Sequence, residues 1–105
     1  MATIGTFKRD EFGFTGLIHT LTLEAFVAIE PTEKRGDKSP DYRVYVKSSG
    51  PGEIGAAWKR NRDGQEYLSV RIDDPTFPAP LDCRLVRNGS GEEYALIWDR
   101  QRARD

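Results

Sequence analysis

Residues 52–72 read GEIGAAWKRNRDGQEYLSVRI, and the point at which the chain turns inside this stretch decides what a sheet would bury. Asp63-Gly64 between two alternating runs is a strong hairpin signal. Two closures compete. A two-residue turn pairs Arg62 with Gln65 and leaves Trp58 on the face of Ser69 and Arg71, with Leu68, Val70 and Ile72 opposite Gly55, Ala57 and Lys59. A three-residue loop with Gly64 in a bulge pairs Asn61 with Gln65 and gathers Ile54, Ala56, Trp58, Leu68, Val70 and Ile72 on one face. A one-residue slip exchanges the two faces, so the apolar pattern is taken to decide. Burial of each large side chain is worth roughly 1.5–3 kcal/mol, and the expectation is therefore the bulged closure with Trp58 inward.

That closure leaves Gly55, Ala57, Lys59, Tyr67, Ser69 and Arg71 outside: a floor of small residues with a tyrosine between two cations. Arg60 and Arg62 extend the patch, and Asp63 and Glu66 partly cancel it. The expected partner-binding residues are thus Lys59, Tyr67, Ser69, Arg71, Arg60 and Arg62. Tyrosine and arginine suit a protein contact, and the same set could stack a base and hold phosphates.

Working outward, period two continues. Tyr42, Val44 and Val46 alternate with Arg43, Tyr45 and Lys47, and Tyr94, Leu96 and Trp98 alternate with Ala95, Ile97 and Asp99. Strands are expected near 3–9, 14–20, 23–30, 42–48, 53–60, 66–73, 80–87 and 93–99. Turn signals fall between them at 10–13, 48–52, 63–64 and 88–91. The run TLEAFVAIE (residues 22–30) admits a helical stripe, but its β-branched content and the Pro31 stop favour a strand. PTEKRGDKSP (31–40) reads as a polar loop, and DDPTFPAP (73–80) as a stiff connection with Phe77 tucked inward. The expected architecture is all-β: a single small barrel or two-layer sandwich of about seven or eight mostly antiparallel strands over residues 1–99, with a charged tail at 100–105.

The 105 residues suffice for one core and not for two. At 37% hydrophobic and 31% charged the chain is globular in composition. A net charge of -1 and a pI near 5.9 supply no global attraction to nucleic acid or to an anionic membrane. Cys83 is alone, which fits a reducing compartment and a small apolar filler. No run approaches the roughly 18 apolar residues of a membrane span, and the charged start is unlike a signal peptide. A cytoplasmic location is expected.

Catalytic chemistry is sparse. His19 has no Ser, Cys or Asp constellation beside it in sequence, and the pair Asp73-Asp74 reads as a strand end before a proline turn. No Cys/His spacing suits zinc, and SSGPGEIG (48–55) lacks the lysine and helix of a phosphate loop. No catalytic residue, cofactor or metal is expected.

The segments ATIGTF, GFTGLIHTLTL, DYRVYV, EIGAAWKR and G..YLSVRIDDPTFPAP, in that order, resemble a bacterial family known as domain of unknown function 736. The likeness runs from Ala2 to Trp98. It implies a small protein of plasmids and integrated conjugative elements, near transfer genes, and brings no activity or catalytic set. Cys83, where a small residue such as alanine is expected, and the drawn-out KSSGPGE (47–53) depart from the family's pattern. The functional expectation is a non-enzymatic module contacting a protein partner, as an accessory to conjugative transfer or an inhibitor of a host defence system. The alternative is a single-stranded nucleic-acid-binding small β-barrel.

Overall fold

The computed structural model of the chain describes residues 2–11, 13–21, 24–33, 36–47, 52–74, 78–87, 89 and 92–98. The start of the strand expected at 23–30, the expectation for Phe77, the tail at 100–105 and most of the 48–52 and 88–91 turns lie outside these residues. Eight strands follow one another along the chain: β1 (Ala2–Arg9), β2 (Phe14–His19), β3 (Glu24–Pro31), β4 (Tyr42–Val46), β5 (Gly52–Arg62), β6 (Gln65–Ile72), β7 (Leu81–Arg87) and β8 (Glu93–Trp98). Each pairs antiparallel with its neighbour in sequence, and β8 returns to β1. The sheet therefore closes into an up-and-down barrel. The segment from Glu24 to Pro31 is a strand, as its β-branched content indicates. No helix among the described residues is long and apolar enough to cross a membrane.

Closure gives every strand an inside and an outside, and period two decides which residue goes where. Phe7, Ile18, Val27, Ile29, Val44, Val70, Ile72, Leu85 and Leu96 fill the interior with almost no exposure. These are the residues that the alternation in 42–46, 68–72 and 94–98 assigns to the core, joined by their counterparts on β1 to β3 and β7. Eight strands leave an interior about wide enough for side chains to occupy, and here they occupy it.

The β5–β6 hairpin closes differently from the sequence expectation. Arg62 pairs with Gln65, so the turn has two residues, with Asp63 at φ 54° and Gly64 at φ 85°. Both lie in the left-handed region that a type I′ turn requires, and the Asn61 Oδ1 accepts the Gly64 N–H at 3.1 Å. Ala57 stands opposite Val70 and Trp58 opposite Ser69. Trp58 is thus on the outer wall, not in the core.

Three facts explain why the apolar count pointed the wrong way. Ile54 is the extra residue of a bulge against β4, between the Val44–Gly55 and Tyr45–Glu53 pairs, and it packs on the core edge from there. β5 lies so close to β6 at Gly55 that a Cβ there would fall on the Arg71 carbonyl oxygen, so no side chain fits at that position. Trp58 finds its cover outside, where its indole N–H donates to the Lys38 carbonyl at 3.1 Å. The β3–β4 loop is fastened there by two more bonds, from Lys59 N–H to the Asp41 carboxylate at 2.9 Å and from Asp41 N–H to the Ala57 carbonyl at 2.9 Å. Half-burial of the indole under this loop replaces the burial expected inside.

Candidate binding site at the barrel mouth

The inward phase of each strand continues past the core to one pole of the barrel. On β1 it runs from Phe7 to Arg9, on β5 from Ala57 to Lys59, and on β7 from Leu85 to Arg87. Register confirms the phase: Arg9 is paired with the buried Phe14, Lys59 with the buried Leu68, and Arg87 with Tyr94. Three cations on separate strands thus rim a mouth that is closed below by the packed core.

Under the cations lies a layer of rings. Phe14 meets Tyr94 edge to face at 4.9 Å and 74°, and Tyr42 at 5.9 Å and 61°. The Lys59 ammonium sits 6.0 Å from the centre of the Tyr42 ring, within reach of its negative face. The long β5–β6 hairpin flanks this mouth with Asn61, Gln65 and Tyr67, and the resulting cleft has a volume of about 690 Å³. Among the described residues that line it, Arg9, Lys59, Arg60 and Arg87 face one carboxylate, Glu66. The cleft lining thus carries more cations than carboxylates in a chain of net charge -1.

The six expected partner-binding residues are divided by the register. Lys59 alone turns to the inward phase at the mouth; Arg60, Tyr67, Ser69 and Arg71 share the outer phase, of which Arg60 and Tyr67 also border the cleft. Arg62 is exposed beside the turn. Arg71 lies 3.7 Å from the Asp82 carboxylate, an exposed pair of the kind worth roughly 0–1 kcal/mol. Gly55 and Ala57 are no part of a contact floor, because both face the interior. Arg9, Phe14, Tyr42, Arg87 and Tyr94 escaped the sequence reading. The signal that could have found them is a cation or tyrosine continuing the buried phase of a strand beyond its last aliphatic residue.

Other reactive side chains stand apart from this cleft. His19 is exposed, 3.8 Å from Glu24 across the β2–β3 hairpin, and the Asp73 N–H donates to the Ile54 carbonyl at 2.7 Å. Cys83 is buried on β7; desolvation, with the Asp82 charge adding to it, pushes its thiol up to about 12. Because the thiolate is the reactive form, native Cys83 should resist a maleimide at pH 8 and react fully once the chain is unfolded in urea. Equal labelling rates in the two states would contradict its placement in the core.

Fold and mouth together define an eight-stranded up-and-down β-barrel, filled inside, with a cationic cleft floored by aromatic rings at one pole. Within that class the chain belongs to the family described as "Protein of unknown function (DUF736)", whose family model matches residues 3–101. No curated protein and no solved structure matches it.

Proposed function

We propose that the protein is a non-enzymatic, cytoplasmic binding module of a mobile genetic element that engages a protein partner, as an accessory to conjugative transfer or as an inhibitor of a host defence system. One observation carries the protein-contact reading. The large apolar side chains left exposed among the described residues are Leu17, Leu21 and Phe26, and all three belong to the β2–β3 hairpin. Leu17 and Phe26 are directly opposed on the outer wall at 43% and 47% exposure, and Leu21 stands fully exposed in the turn. Apolar exposure gathered on one element marks a protein contact more often than scattered single residues do. Covering the fully exposed Leu21 would contribute roughly 1.5–3 kcal/mol, and the half-buried Phe26 less.

The non-catalytic part of the proposal is supported by the character of the mouth, whose ionisable groups among the described residues are arginines, a lysine, tyrosines and Glu66. The mobile-element setting is what the family resemblance implies. The cytoplasmic location is supported by the lone Cys83.

The test is quantitative affinity capture from cells that carry the gene, comparing the wild type with Leu21→Glu/Phe26→Glu and with Tyr67→Ala/Arg71→Glu at matched expression. A protein enriched by the wild type and lost with the first pair supports the hairpin contact. Loss with the second pair alone moves the contact to β6, and capture that neither pair alters defeats the reading.

A further inference from the structure

We propose that the mouth cleft binds a nucleotide unit, either a free nucleotide or the phosphorylated end of a single strand. The phosphate would lie among Arg9, Lys59 and Arg87, and the base against the ring layer of Phe14, Tyr42 and Tyr94. This site is at the opposite pole from the β2–β3 turn and does not depend on the protein contact proposed above.

The first support is where the cations sit. Arg9, Lys59 and Arg87 occupy inward-phase positions on β1, β5 and β7, next to the apolar or small residues Phe7, Ala57 and Leu85 that fill the same phase deeper in the barrel. Converging cations at the rim of a concave surface focus positive potential into it, which suits a compact anion. The second support is the floor. A nucleotide couples a planar aromatic face to an anionic group, and the mouth offers rings immediately below its cations. The cleft volume of about 690 Å³ falls in the range of small-ligand sites, roughly 300–1,000 Å³. Asn61 and Gln65 at its edge supply amide donors and acceptors for a base edge.

Closure of the barrel decides against an acidic peptide. Extended peptides gain most of their main-chain hydrogen bonds by adding to a free strand edge, and β1 pairing with β8 leaves this sheet without one. A peptide also spreads its carboxylates along a line, whereas these cations are arranged around a ring. The interior below is packed, so the cleft is blind: a strand can insert an end or a flipped unit but cannot thread through.

The experiment uses the full chain at low salt. Adenosine 5′-monophosphate, ribose 5-phosphate and inorganic phosphate are titrated by calorimetry. A 3′-labelled oligothymidylate, with and without a 5′-phosphate, and a labelled Glu/Tyr peptide are titrated by anisotropy. The expected result is that the monophosphate binds more tightly than ribose phosphate, and that Lys59→Glu and Arg9→Glu each weaken it by about tenfold or more. Comparable affinity for monophosphate and phosphorylated strand assigns a free nucleotide; a strand that binds more tightly than the monophosphate and loses affinity without its 5′-phosphate assigns a strand end. Strand binding should also weaken with salt, by a log–log slope of about 0.7 for each phosphate contact. Thermal melts check folding, and Lys59→Gln, which removes the charge without reversing it, stands in should a reversal unfold the chain. The proposal fails if no nucleotide binds at millimolar concentration, if ribose phosphate binds as tightly as the monophosphate, if the peptide binds more tightly than every nucleotide, or if folded charge variants bind like the wild type.

Discussion

Replacing Gly55 by valine should destabilise the protein by about 3 kcal/mol or more, at the upper end of what overpacking costs. Gly55 stands opposite Ile72 on β6 and is the β5 residue next to the Ile54 bulge. A Cβ there would fall on the Arg71 carbonyl oxygen, and that atom is backbone, which a rotamer change cannot move. β5 and β6 would have to separate, loosening the ladder from Gly55–Ile72 toward Arg62–Gln65. Gly52→Ala is the control, since a Cβ at position 52 meets nothing within 4 Å. Urea unfolding of both variants measures the difference. In the three-residue closure Gly55 would face outward, so an unaffected Gly55→Val variant would restore that register and withdraw Lys59 from the mouth.

A second large loss is expected from Phe7→Ala, about 3–5 kcal/mol. Phe7 is 1% exposed, and it faces Gly16 across the β1–β2 pair. A Cβ on Gly16 would strike the Phe7 ring, so the ring occupies the space that the absent side chain leaves. Truncation opens a cavity with a glycine on one side, where nothing can swing in to fill it. For a domain of this size each kcal/mol lowers Tm by about 4–8 °C, so the variant should melt well below the wild type. The neighbouring outer-wall change Leu17→Ala should cost less than about 1 kcal/mol. Similar melting temperatures for the two variants would mean that β1 does not present Phe7 to the interior.

Much of this architecture could be read from residues. Alternation in Tyr42–Val46, Leu68–Ile72 and Tyr94–Trp98 assigns the right side chains to the core because period two belongs to the strand itself. Barrel against sandwich was not legible, since it depends on whether β8 meets β1, a contact between strands far apart in the sequence. Asp63-Gly64 carries the signal for the hairpin register, and the apolar count contradicts it. That count fails at Trp58 because its cover comes from the loop ending at Asp41, a segment without periodicity to announce it. The same misplacement hid the mouth. With Lys59 assigned to the outside, nothing linked it to Arg9 and Arg87, whose strands lie elsewhere on the ring.

The β1–β8 seam joins residues separated by nearly the whole chain: Ala2 pairs with Trp98, and Lys8 with Glu93. Every other ladder in the ring is built from neighbours in sequence. The loop entropy of closing the ring therefore concentrates in one ladder, which draws on the other seven being in place. High contact order of this origin slows folding without weakening the finished structure. A chain whose β1–β8 ladder is unformed is an open curl with two bare edges, open to pairing with another copy of itself.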